Sequence, residues 1–384
     1  MALPLEGLRV IDFTQMFAGP GTGMYLADQG ADVIKIEPPN GGRDRVPGPV
    51  THSFLVLNRG KRSIVLDIRA DKGREAVHRL VKQSDVMLVA WRPGHAERIG
   101  YGYDEMARLN PRLVYASITG WGNAGPLAHL AGYDRLMQAY TGMMASRPAP
   151  DGLPLETSFH VADEAIPMVL SYGIMLALWT REKTGLGQKV EVSQLETQIA
   201  MQSIHLVSTE RGADPGSLNR TAWTRPMTYR AADGGYLMFV PLTRAEWDAF
   251  WRCLDLERYA ADFGFSTRDF PPQVHDAIAE KIASRPCADW VQLLTEAAVP
   301  TAPVLSRTEF MDHPHAWQND MLVETEHPEA GRVRMMRLPV RLSATPGRVG
   351  GPAPAAGADT QSVLAEIGYS EAEIQAMCRE GVVR

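Results

Sequence analysis

Residues 5–39, LEGLRVIDFTQMFAGPGTGMYLADQGADVIKIEPP, constrain the fold more than any other stretch of the chain. Residues 10–13 form a short apolar run. Gly19, Gly21 and Gly23 follow, and their missing Cβ atoms would let a backbone turn tightly and come close to a ligand. Residues 24–29 have room for two helical turns, Gly30 suits the helix stop, and residues 33–37 return as a second apolar strand. This is half of a doubly wound, Rossmann-like α/β fold, whose ligands sit at the carboxyl ends of the strands. A dinucleotide site, with Glu37 on a ribose, is the nearest reading of such a unit. The fingerprint GxGxxG started at Gly19 needs a small residue where Met24 stands, and started at Gly21 it needs one where Leu26 stands. A long side chain there holds helix and strand apart, so a nicotinamide cofactor fits poorly.

The α/β alternation continues. Residues 63–68, 86–91 and 113–118 are expected as strands, and residues 72–83 and 103–109 as helices, which implies a parallel sheet covered on both faces. A long apolar helix is expected over 163–181, stopped by TGLGQ, and 190–200 begins another helix or strand. Composition then shifts to Gly, Pro, Asn and Arg over 212–226, a linker signature. DGGY at 233–236 marks a hairpin, and Trp- and Asp-rich helices lie between 245 and 297, so a smaller α+β domain follows. The expected division is a large α/β domain over 1–205, a linker over 206–225, the small domain over 226–310, a return linker over 311–340, and a C-terminal part, 341–384, packing on the large domain. Its start, 341–359, is expected to be extended, and 371–378 to be a last helix.

With 45% apolar residues the chain can build a proper core, and a net charge of −6 gives no electrostatic reason to bind nucleic acid or an anionic membrane. Cys253, Cys287 and Cys378 are too far apart for a disulfide framework or a zinc site and are expected to be buried thiols of a reducing compartment. No basic-then-apolar leader opens the chain, and its longest apolar stretch, 166–179, is shorter than the roughly eighteen residues that span a bilayer. A cytoplasmic protein without metal, membrane or nucleic-acid partner is the expectation.

Four segments carry more than composition can: LNRGKRSIVLDI at 57–68, WRPG at 91–94, NPRLVYASITGWGNAGP at 110–126 and TREKTGLGQKVEV at 180–192. With the opening unit and LPVRLSATPG near the C-terminus, the chain resembles the class III coenzyme A transferases, which include formyl-CoA and carnitine CoA-transferases, with the α-methylacyl-CoA racemases as close relatives. The resemblance implies a large α/β domain with a small α+β domain, and two chains interlocked as a homodimer. It implies acyl-CoA and a carboxylic acid as substrates, with no permanently bound cofactor.

By the same resemblance Asp163, in SFHVADEAIPM, is the nucleophile. On the residues alone the readier reading is the N-cap of the long helix, with Glu164 in the first turn and Pro167 near the start. The two roles are compatible, because a helix N-terminus favours an ionised carboxylate. Positions matching the family's CoA contacts are Ala18, Pro38, Leu66, Arg69, Ala90, Trp91, Arg92, Arg98 and the 131–134 segment with Tyr133, and Lys61 and Arg62 lie nearby in sequence. Trp91 could stack on adenine or pack in the core. Backbone donors for an oxyanion could come from the 19–23 turn or from the 120–125 loop.

The chain departs from the formyl-CoA transferase pattern. Phe17 replaces a glutamine, Pro38 an arginine, Ala90 an asparagine and Ala131 a lysine, and the shielding glycine loop has no counterpart near 223–229. A larger or less polar acyl group is implied, with Arg220, Arg225 and His160 available to a second carboxylate. For racemisation, Tyr133 stands where a histidine base is needed, and Thr243 where its supporting glutamate would be. Tyrosine, with a reference pKa near 10, is a poor base at neutral pH.

Overall fold

The computed structural model describes residues 2–45, 50–146, 148–149, 151–208, 210, 227–263 and 270–384. The chain divides into two compact units, Met1–Ser203 with Trp317–Arg384, and Ile204–Ala316.

The first unit is built on a six-stranded parallel sheet of order β3-β2-β1-β4-β5-β6, from β1 (Arg9–Asp12), β2 (Asp32–Glu37), β3 (Arg62–Val65), β4 (Val86–Val89), β5 (Val114–Thr119) and β6 (Lys189–Ser193). The central strands read as unbroken apolar runs because both faces are covered. On one face the helices Asp71–Lys82 and Tyr103–Leu109, with the C-terminal pair Thr360–Glu366 and Glu371–Arg379, bring Leu80, Met106, Leu364 and Ile374 onto Ile11, Ile34 and Met87. On the other, helices Ala18–Asp28 and Val161–Thr184 bring Leu26, Ile166, Leu170 and Ile174 onto Val10, Val33 and Leu88. Strand order reverses between β1 and β4, where a crevice opens at their carboxyl ends.

The opening glycines do not form the turn. All three lie inside the Ala18–Asp28 helix, which starts before the expected residue 24, and none has a positive φ. A Cβ on Gly19 would come 2.2 Å from Thr14 Cβ, one on Gly21 2.6 Å from Pro167 Cγ, and one on Gly23 2.8 Å from Asp12 Oδ2. Their smallness lets the helix press on the end of β1, on the long helix and on a buried ion pair. The tight turn falls instead on Met16, at φ 72°. The ion pair is Lys61–Asp12, 2.8 Å apart with both side chains fully buried; Lys61 Nζ also donates to the Pro20 carbonyl at 2.9 Å and to Asn58 Oδ1 at 3.1 Å.

The long helix spans 24 residues, more than the expected 163–181, and by length and composition could cross a membrane. Ile166, Leu170, Ile174 and Leu178 are nevertheless packed into the sheet, which makes it a core helix. Its opposite face leaves Met168, Tyr172, Met175, Leu176 and Trp179 exposed. The expected return linker, 311–340, contains an antiparallel hairpin, β10 (Leu322–His327) with β11 (Gly331–Met336). Glu324 faces Arg334 and Glu326 faces Arg332 across it, so a largely charged ribbon imitates a linker in composition. The 341–359 stretch carries no helix or strand.

The second unit has a three-stranded antiparallel sheet, β7 (Thr228–Arg230), β8 (Tyr236–Phe239) and β9 (Thr301–Pro303), with the DGGY turn between the first two. Helices Arg244–Cys253, Pro272–Ile282 and Cys287–Glu296 close an aromatic core of Trp247, Phe250, Trp251 and Trp290 with Phe239. The 212–226 linker signature lies outside the described residues. The cysteines are not buried as expected: Cys378 is exposed, and Cys253 and Cys287 are half-buried.

Candidate active site

A cleft of about 760 Å³ occupies the crevice of the first unit. Loops leaving the sheet at its carboxyl edge form it: Phe13 to Gly19 after β1, Ala90 to Arg98 after β4, Ile118 to Gly120 after β5 and Gln194 after β6, with the 128–135 segment and the start of the long helix. Of the positions matched to the nucleophile and the CoA contacts, Ala18, Ala90, Trp91, Arg92, Arg98, Tyr133 and Asp163 line it, as do Phe17, Ala131, Asp134 and His160. Three do not. Pro38 follows β2 outside the cleft, Leu66 is buried in the core and bridged to Val383, and Arg69 is exposed with its N–H on Asp67 Oδ1.

Lys61 and Arg62 are also elsewhere, the first buried on Asp12 and the second paired with Asp32 and Glu366. The arginines that do join Arg92 and Arg98 are Arg43 and Arg135, with His95 beside them. Trp91 packs 5.6 Å from the Phe13 ring and 6.3 Å from Tyr101, and it also lines the cleft. Glu37 is held by both arms of Arg45, at 2.8 Å each, and by Ser63 Oγ, so it is not free to take a ribose. Arg220 and Arg225 lie outside the described residues.

Asp163 is not the helix cap. The long helix begins at Val161 with His160 in the cap position, and the His160 side chain makes no capping bond. Capping comes from Asp134 on the Asp134–Tyr140 helix: its Oδ2 accepts the Ala162 N–H at 2.6 Å and the Asp163 N–H at 3.3 Å, and its Oδ1 accepts from Gln138 Nε2. The Asp163 carboxylate is thereby left for the cleft. Gln194 Nε2 donates to Asp163 Oδ1 at 2.7 Å.

Burial pushes the Asp163 carboxyl up from 3.8 to about 6; the charge of Asp134 adds to this, and the Gln194 hydrogen bond and His160 oppose it. Pro167, inside the helix, has no N–H for the Asp163 carbonyl. Beside the carboxylate the Phe17 and His160 rings stack, centroids 5.2 Å apart, giving this end of the cleft an aromatic wall. Tyr133 OH meets Arg43 Nη1 at 3.4 Å. Thr243, in the second unit, caps the Arg244–Cys253 helix in a capping box with Glu246.

Gln194 and Asp134's capping role were not foreseen. A signal for Gln194 exists: Ser193 Oγ accepts the Glu196 N–H at 3.0 Å and donates to Glu196 Oε2 at 2.6 Å, a cap that starts a helix at residue 194 directly after a strand. A residue so placed stands at the carboxyl edge of the sheet.

Comparison with known proteins matches residues 5–360 to the model of CoA-transferase family III. The formyl-CoA:oxalate CoA-transferase of Shigella sonnei is 29% identical over 412 aligned positions, covering 98% of this chain and 99% of that one. A crystal structure of the Mycobacterium tuberculosis protein Rv3272 superposes with a TM-score of 0.83 at 30% identity, over 94% of this chain and 99% of that one. A CaiB/BaiF family protein from Brucella suis does so with a TM-score of 0.82 at 27% identity, over 96% and 100%.

Proposed function

The chain belongs to CoA-transferase family III, and from that premise we propose that it moves coenzyme A from a donor thioester to a carboxylic acid through covalent intermediates on Asp163. The observation that carries this reading is the Asp163 carboxylate itself, half-buried at the crevice, relieved of capping by Asp134 and oriented by Gln194. A group that titrates near 6 is roughly ten parts ionised to one protonated at pH 7, so the nucleophile is available and, being partly desolvated, reactive.

Ionised Asp163 attacks the acyl carbon of the donor thioester, giving a mixed anhydride and CoA thiolate. The thiolate returns to the aspartyl carbon, gives an aspartyl-CoA thioester and releases the donor acid. The acceptor carboxylate then repeats the sequence in reverse. Trp91, Arg92 and Arg98, together with Arg43 and Arg135, supply the aromatic surface and the cations that a nucleotide with a diphosphate and a 3′-phosphate needs. Ala18, Ala90 and Tyr133 complete the binding wall, whereas Pro38, Leu66 and Arg69 do not line the cleft. The Phe17–His160 wall and the small Ala131 favour an acyl group less polar than formate or oxalate, and His160 could meet a second carboxylate.

We further propose a homodimer of two interlocked chains. The exposed apolar face of the long helix supports it, since a face carrying Met168, Tyr172, Met175 and Trp179 is stabilised by cover. The test of function is a matrix of acyl-CoA donors against carboxylic acids, read by mass spectrometry for new thioesters. No new thioester from any pair would refute transfer.

A further inference from the structure

We propose that the Gln194 amide takes part directly in the reaction, selecting Asp163 Oδ2 as the attacking oxygen and holding the negative charge that develops on Oδ1 each time the aspartyl carbon is attacked. The inference rests on the aspartyl mechanism above. Its first support is asymmetry. Oδ1 receives the Gln194 N–H at 2.7 Å, whereas Oδ2 has no hydrogen bond among the described residues. The lone pairs free to attack are therefore those of Oδ2.

The second support is how Gln194 is held. It is buried, and it is the first residue of the Gln194–Ala200 helix, which Ser193 caps and which the Leu195 N–H, bonded to the Gly120 carbonyl at 3.0 Å, ties to the end of β5. Its other amide atom, Oε1, is buried without a partner among the described residues. A Cβ on Gly132 would come 2.8 Å from that oxygen, and Gly132 in turn lies against Gly120, where a Cβ would come 2.4 Å from the Gly132 Cα. Two glycines thus vacate the space in which the amide lies. Leaving a buried acceptor unpaired costs stability. A side chain held at that cost against one carboxylate oxygen has the character of a functional group.

The chemistry gives the contact its use. In the first step Oδ2 bonds to the acyl carbon, the carbon–sulfur bond breaks, and CoA leaves as thiolate; Oδ1 remains as the carbonyl oxygen of the anhydride. When the thiolate attacks Cγ, the sulfur–carbon bond forms and an electron pair moves onto Oδ1. Collapse breaks the Cγ–Oδ2 bond, and Oδ2 departs with the donor acid. When the acceptor carboxylate attacks the aspartyl thioester, charge again gathers on Oδ1, thiolate leaves, and an acceptor oxygen becomes the new bridging atom. Both intermediates at Cγ place their oxyanion on the atom that faces Gln194 Nε2. A preorganised donor of this kind changes rate by about 10²–10³.

The test uses the full-length enzyme with donor acyl-CoA and no acceptor, quenched at intervals, with the Asp163 peptide followed by mass spectrometry. Wild type should form the aspartyl-CoA adduct. Gln194→Met, of similar length but without a donor, should form it about 10²–10³ times more slowly while binding acyl-CoA within about twofold of wild type. Gln194→Glu is the second variant and guards against misfolding. Asp134, His160 and Glu164 also face the Asp163 carboxylate, but a new carboxyl against Oδ1 would share one proton with it. Activity of Gln194→Glu should then fall as pH rises from 5 to 8, opposite to wild type. Adduct formation by Gln194→Met at the wild-type rate, or a Gln194→Glu profile parallel to wild type, overturns the inference alone. No Asp163 adduct in wild type overturns the aspartyl mechanism and the inference with it.

Discussion

Replacing Asp163 with asparagine should abolish turnover and, at neutral to alkaline pH, make the folded protein more stable. Burial, helped by Asp134, raises this carboxyl from 3.8 to about 6. A folded pKa above the unfolded one means that the native state binds more protons than the unfolded chain between those two values. The carboxyl's contribution to stability is therefore fully present below the unfolded value and is lost as pH rises through 6. Roughly two units correspond to at most about 3 kcal/mol of destabilisation by the ionised form at pH 8. The side chain keeps some contact with solvent, so about 1–2 kcal/mol is the reasonable net.

Asparagine carries no charge, and its Oδ1 can still accept from Gln194 Nε2, so the substitution orphans no donor. The gain should be about 2–4 °C in melting temperature per kcal/mol. Thermal melts of wild type and Asp163→Asn at pH 5, 6.5 and 8, beside transfer assays on the same preparations, decide the matter. The expected difference at pH 5 is about half its value at pH 8, where it reaches several degrees in favour of the variant, with wild-type activity falling on the acid side of about 6. A variant no more stable than wild type at pH 8, or a difference that ignores pH, refutes the desolvated carboxylate. Turnover above a few per cent refutes the nucleophile.

Three further outcomes are expected. Lys61→Met removes the ion-pair partner of the buried Asp12, leaving it the Thr14 hydrogen bonds and the more distant Lys35, and should cost about 3–5 kcal/mol in chemical denaturation; a loss under 1 kcal/mol would mean the pair is not buried in solution. Incubation with a 2-methylacyl-CoA in deuterated water should give no α-carbon exchange above the uncatalysed rate, because Tyr133 occupies the position of a base and Thr243 is committed to a helix cap; rapid exchange would restore a racemase. Light scattering after size exclusion should give one species near twice 42.2 kDa from micromolar to nanomolar concentration, and a folded, active monomer on dilution would remove the interlocked dimer.

The parts of this fold that were legible in the sequence are those governed by period and punctuation. The strands of a sheet covered on both faces announce themselves as apolar runs, and the helix stop at Gly30 follows from its φ of 102°. The glycines of the opening unit were legible as a requirement for closeness but not as to what comes close: Gly19, Gly21 and Gly23 accommodate Thr14, Pro167 and Asp12, all side chains of the protein itself. Leu66 and Arg69 show the same limit from the other side. Their positions in the chain match those of contact residues, but a position does not say which way a side chain points, and Leu66 points into the core.

Asp163, the proposed nucleophile, illustrates how local and long-range information divide. Sequence-local reasoning offers Asp163 the N-cap of its own helix, because an aspartate before an apolar run is a good cap. What frees it is Asp134, 29 residues earlier, whose carboxylate accepts two of the orphan N–H groups. What orients it is Gln194, 31 residues later, on a helix whose start the sequence does mark. Two acidic side chains at one helix end cannot both be the cap, and the one nearer the backbone donors releases the other into the cleft. That exchange also raises the charge density around Asp163, and Asp134 is among the causes of its raised pKa. Capping and activation are consequently one arrangement. A substitution at Asp134 would leave the Ala162 and Asp163 N–H groups without their cap and remove one of the charges that raise the Asp163 carboxyl, while burial, the larger cause, would remain.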